Sequence, residues 1–192
     1  DVGTARTTKV ALPQGCAGVA QWSADGSHFA FQNAVETSVQ LWVGDAQTGQ
    51  VKQIPGVQLN PIFGYTVQWL GGGRQLLVKT VPANQGTAPT SGNGPGGPDV
   101  QESLGSSGES STYEARDTLT SAHDEMLFAY YGASQLVVVD ASAGSVRAIG
   151  APALYNEVNA APDGVHVLTE TLKAPFSHAV TYQRFANDVA VL

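Results

Sequence analysis

The chain has little of several things. Among its 192 residues stands one cysteine, Cys16, so no disulfide can form within it, and a lone thiol does not decide the compartment. Charged residues make up only 13%, with nine Lys and Arg against sixteen Asp and Glu. The net charge of −7 and the isoelectric point near 4.8 argue against a nucleic-acid partner, whose phosphates need cations. No apolar run exceeds strand length, so none reads as a membrane-spanning helix. No Gly-x-Ser-x-Gly elbow occurs, which leaves no sign of a nucleophilic serine. An initial Met is missing too. The chain begins at Asp1 and stops inside the alternating run Asp188-Val-Ala-Val-Leu192, and it is read as a piece of a longer protein. No secretory leader is visible, which is uninformative where the native N-terminus is missing.

What is present is repetition. Trp22-Ser-Ala-Asp25-Gly26-Ser-His28-Phe-Ala-Phe31 is matched by Trp69-Leu-Gly-Gly-Gly73-Arg-Gln-Leu-Leu-Val78 and by Ala160-Ala-Pro162-Asp163-Gly164-Val-His166-Val-Leu-Thr169. Each is an apolar run, a tight turn and a second apolar run. Asp-Gly suits such a turn because Gly tolerates positive φ and Asp bonds its own backbone. A second phrase, Leu41-Trp-Val-Gly-Asp45-Ala-Gln-Thr-Gly49-Gln-Val51, returns as Leu136-Val-Val-Val-Asp140-Ala-Ser-Ala-Gly144-Ser-Val146. The two phrases together make a four-stranded unit, and Trp22 and Trp69 stand 47 residues apart, the period of a β-propeller blade.

The expected fold is therefore all-β: about three four-stranded blades of an incomplete β-propeller, with a partly helical insertion in the second. Blade one covers about 18–57, blade two about 64–150 with an insertion at 83–134, and blade three about 151–192, truncated. Residues 9–12 read as the closing strand of an upstream blade, and Pro55–Gly64 as a linker. Within the insertion, 83–111 is rich in Gly, Ser, Pro and Thr and reads as a loop. Residues 112–131 read as a helix broken near Thr120. Ser111 with Glu114 and Ser121 with Asp124 resemble helix caps; Leu119, Ala122, Met126 and Tyr130 fall at helical spacing.

Most candidates for chemistry have a plainer reading. Gly105-Ser-Ser-Gly108 and Gly92–Gly97 lack the strand-to-helix context of a nucleophile or phosphate loop and read as linker. His28 and His166 hold the same place in two repeats, which argues for a structural or surface role. His123, Asp124 and Glu125 are adjacent on a helix and cannot converge on a metal, so they read as a capping, solvated cluster. His178 follows Ser177 directly, and that adjacency does not make a dyad. The expectation is no catalytic residue, no metal and no cofactor. Trp22, Trp42, Trp69, Phe29 and Phe31 read as core between blades. Tyr113, Tyr130, Tyr131, Tyr182 and Phe185 lie off the repeat and are divided between packing and contact with a partner or ligand.

Several phrases carry a resemblance. Leu76-Leu-Val-Lys-Thr-Val-Pro82, Gly97-Pro-Asp-Val-Gln-Glu102, Thr112-Tyr113 and His123-Asp-Glu-Met-Leu-Phe-Ala-Tyr-Tyr131 occur in order. Ser134-Gln-Leu136, Lys173-Ala-Pro-Phe-Ser177 and Tyr182-Gln-Arg-Phe-Ala-Asn-Asp-Val189 follow them. Over nearly its whole length the chain resembles the β-propeller of the glutamyl endopeptidase branch of the prolyl oligopeptidase family of serine peptidases. The resemblance implies a C-terminal α/β-hydrolase domain in the same protein, carrying the catalytic triad, with a peptide as substrate. It implies a non-catalytic segment restricting access to that domain, in an enzyme cutting after acidic residues. It also implies a bacterial exported or periplasmic, or a plastid, location. A propeller scaffold for protein–protein interaction is the alternative. For an acidic side chain the cations offered are Arg184 and Lys173, against the plain reading of surface salt bridges. Tyr113, His123, Asp124, Glu125, Tyr130 and Tyr131 are the candidates on a gating insert.

Overall fold

The structure is a computed structural model that describes residues 2–90 and 118–192. Three antiparallel sheets follow one another along the chain. The first holds β1 (Cys16–Ala17), β2 (Gln21–Trp22), β3 (His28–Val35), β4 (Ser38–Asp45) and β5 (Val51–Gln58); β1 and β2 pair with different halves of β3. The second holds β6 (Val67–Trp69), β7 (Gln75–Thr80), β8 (Ser134–Asp140) and β9 (Val146–Ala153). Helix α1 (Ala122–Gly132) enters between β7 and β8. The third sheet holds β10 (Tyr155–Ala160), β11 (Val167–Leu172) and β12 (Asn187–Val191). The sheets have five, four and three strands where the repeat predicts four-stranded blades, and they follow the meander order of an incomplete propeller.

The turns use the repeat residues as expected. Asp25 accepts from Ser23 Oγ at 2.6 Å and from the Ser27 amide at 3.0 Å, which lowers its pKa to about 2. Asp163 accepts from the amides of Val165 and His166 and lies 2.6 Å from His166 Nδ1; the imidazole contact is the main cause of its pKa of about 2. The glycine after each aspartate has positive φ, 68° at Gly26 and 71° at Gly164, where a side chain would be strained.

The middle sheet is covered on both faces. Leu76 and Val78 of β7, with Val137 and Val139 of β8, pack against Ala30, Leu41, Val43, Ile54 and Val57 of the first sheet. Leu77, Leu136 and Val138 point the other way and pack against Tyr155, Val158 and Val167 of the third. A strand buried on both faces needs no polar alternation, which explains the unbroken runs Leu76-Leu-Val and Leu136-Val-Val-Val.

Three expectations need correcting. Residues 9–12 form no strand, because among the described residues no strand pairs with them. β5 continues through Pro55 and Gly56 to Gln58; Pro is tolerated there because β5 is an edge strand. Trp22 is 61% exposed and meets buried Phe29 edge-on at 5.5 Å. In helix α1 the residues at helical spacing are not the ones that pack on the core. Met126 is half exposed, and Phe128 is the residue that packs.

Candidate functional site at the helical insertion

Helix α1 starts where the sequence capping signal places it. Ser121 Oγ accepts from the Asp124 amide at 3.1 Å, and Asp124 and Glu125 put negative charge on the first turn. Asp124 also accepts from the Thr120 amide and hydroxyl, which holds its carboxyl below the usual range. At the other end, the buried Asn60 side chain donates to the carbonyls of Tyr131 at 2.9 Å and Ala133 at 2.7 Å, satisfying groups the helix leaves open.

An aromatic cluster fastens this helix across two blades. The Phe128 ring lies 5.5 Å from Phe63, 5.1 Å from Phe176 and 5.6 Å from Phe185. Phe63 in turn lies 5.1 Å from Tyr182. Phe63 belongs to the connection between β5 and β6; Phe176, Tyr182 and Phe185 belong to the connection between β11 and β12. Such contacts add about 0.5–1.5 kcal/mol per pair beyond their buried area. Glu125 adds a polar tie, with His178 Nε2 at 2.6 Å.

The sequence candidates separate accordingly. Tyr113 lies outside the described residues. Tyr130 packs edge-on against Tyr131 at 5.0 Å, and its hydroxyl donates to the Gly86 carbonyl at 2.9 Å. Tyr131 is 52% exposed. His123 Nδ1 is buried and has no hydrogen-bond partner among the described residues. Asp124 caps the helix and Glu125 meets His178, so the three adjacent residues point to different tasks. Among the described residues no group of three or more His, Cys, Asp or Glu could hold a metal ion.

Arg184 and Lys173 also differ. Lys173 Nζ stands 3.0 Å from a carboxylate oxygen of Asp188. Arg184 ends the short 3-10 turn Tyr182–Arg184; its amide donates to Thr181, and the next amide, that of buried Phe185, donates to Tyr182. Among the described residues no carboxylate forms an ion pair with its exposed guanidinium. Arg184 borders a hollow of about 50 Å³ shared with Ala179, Val180 and Thr181.

One residue near this site carried no functional suspicion in the sequence. Lys79 of β7 is only 2% exposed and donates through Nζ to the Phe63 carbonyl and, at 3.5 Å, to that of Tyr155. Burial lowers its pKa to about 8, partly opposed by the Glu157 carboxylate. The signal was its parity. It occupies a position facing the third sheet, two residues after Leu77, inside a doubly buried strand.

Comparison with known proteins places this geometry. No family model matches the chain. It is 32% identical over 180 residues to a probable chloroplastic glutamyl endopeptidase of Oryza sativa subsp. japonica. It is 33% identical over 182 residues to the protein of the same description in Arabidopsis thaliana. Each match takes in 88% of this chain and 18% of the relative, so the chain spans about a fifth of their length. Among solved structures it is similar to the β-propeller domain of the trilobed protease of Pyrococcus furiosus. That likeness has a TM-score of 0.51 at 13% identity and covers 92% of this chain and 40% of that one.

Proposed function

We infer, for a chain that belongs to the glutamyl endopeptidase family and forms part of its β-propeller, that the segment restricts peptide access to a separate α/β-hydrolase domain. In this reading it contributes surface and selection, and no catalytic group. A serine triad needs its members held together on one scaffold, and this chain has no nucleophile elbow. The observation that carries the reading is the clamped insertion. A helix that interrupts a blade is bound by Phe128 to the connections of both neighbouring blades, and it turns Met126 and Tyr131 outward. Elements so placed filter what reaches a site by size and shape.

Arg184 is the residue we assign to the acidic side chain of the peptide. A guanidinium holds a carboxylate through two parallel hydrogen bonds. Of the three cationic or titratable basic groups on this connection, Lys173 is matched by Asp188 and His178 by Glu125. Among the described residues Arg184 has no carboxylate partner, and in this reading its donors serve an incoming group, on a turn held by rings on both sides.

The test is kinetic, in the full-length protein. Arg184→Ala should lower the preference for cleavage after Glu over Gln by about tenfold or more, the worth of one charge-assisted bidentate contact. Lys173→Ala should change it by less than about threefold, as for a surface ion pair. An unchanged Glu preference in Arg184→Ala removes Arg184 from the site.

A further inference from the structure

Lys79 occupies a place that packing alone would give to an apolar residue. It follows Leu77 on the face of β7 that meets the third sheet. Removing an ammonium from water is costly, and a hydrophobic residue of similar volume often serves stability as well or better. Its contacts show what the charge does there. Nζ donates to the Phe63 carbonyl, in the chain that enters the second blade, and to the Tyr155 carbonyl, where the third begins. The same connection is pressed against β10. A Cβ on Gly64, whose φ is +43°, would fall 2.6 Å from the Asn156 carbonyl oxygen. Backbone at Phe63–Gly64 is thus held from two sides, by Lys79 and by β10.

That backbone carries the ring on which the candidate site rests. Phe63 lies 5.1 Å from Tyr182, the first residue of the turn that ends in Arg184. Phe185, immediately after, is buried in the same cluster and lies 5.6 Å from Phe128, itself 5.5 Å from Phe63. We propose that Lys79 is a positioning residue for Arg184: by fixing the Phe63 carbonyl it sets the ring that orients the Tyr182–Arg184 turn toward the acidic side chain of the substrate. The proposal rests on the reading of Arg184 given above. Lys79 itself, buried, touches no substrate.

The experiment compares variants of the full-length protein on a matched pair of peptides that differ only in Glu or Gln at the cleaved residue. Lys79→Met keeps the volume and removes the donors. It should lose about tenfold of the Glu preference, through a higher KM for the Glu peptide rather than a lower kcat. Tyr182→Leu breaks the relay with Lys79 intact, and it should lose preference in the same way. The Lys79→Met and Arg184→Ala effects should not add, because both act on one contact. If Arg184→Ala loses the preference while Lys79→Met keeps it, the positioning role is overturned and the reading of Arg184 stands. If Arg184→Ala keeps the preference, both are overturned. Should Lys79→Met fail to fold, Tyr182→Leu decides, and a retained preference there overturns the relay.

Discussion

Glu125 of α1 and His178 of the connection after β11 meet at 2.6 Å, although 53 residues separate them. The pair ties the insertion of the second blade to the third. Both side chains are partly exposed, 34% for Glu125 and 44% for His178, so solvent screens the interaction and its worth is about 0–1 kcal/mol. The aromatic cluster has the larger share. Amide hydrogen exchange over 122–132 separates the two: Phe128→Ala should raise exchange there by about tenfold or more, and Glu125→Gln by less than about fivefold. Equal effects would mean that the ion pair, not the rings, fixes the helix.

Lys79 predicts a stability that depends on pH with a defined sign. Its pKa is about 8 in the folded protein, against an ordinary 10.5. Between those values the unfolded chain binds more protons at this site than the folded one, so stability rises with pH across that window. Urea midpoints of wild type and Lys79→Met at pH 7.5 and 9.5 measure this, because the other titrating groups cancel between them. Wild type should gain about 2 kcal/mol on the variant. A constant difference would mean that the buried ammonium is not destabilised.

Gly44 illustrates a constraint between strands. A Cβ there would lie 2.1 Å from Cζ of Phe29, whose buried ring stacks on Phe31 at 6.3 Å. Gly44→Ala should cost about 1–3 kcal/mol by overpacking. Adding Phe29→Leu should recover part of that loss, with a coupling of at least about 0.5 kcal/mol in a thermal-unfolding cycle. Strict additivity would show that the ring has room to move.

What was legible in the sequence was local. The Asp25-Gly26 and Asp163-Gly164 turns, the paired runs around them and the Ser121–Asp124 cap each depend on residues within a few positions of one another. Such signals survive reading without a fold. The site depends on which surfaces meet, and that is not local. Helical spacing pointed to Met126, but the cluster that receives α1 comes from the connections around Phe63 and Phe185, so Phe128 is buried instead. Lys79 read as part of a family phrase, and its burial follows only from the packing of the third sheet over β7. The aromatic content of Trp22 suggested core, yet among the described residues no second sheet covers it.

The most direct test of the access role compares substrates of graded length in the full-length protein, before and after residues 119–132 are replaced by a Gly/Ser linker of equal length. We expect the ratio of kcat/KM on a long unfolded polypeptide to kcat/KM on a short Glu-containing peptide to rise by about tenfold, because the clamped helix no longer narrows the approach. A ratio that stays the same, with both activities retained, would contradict the account.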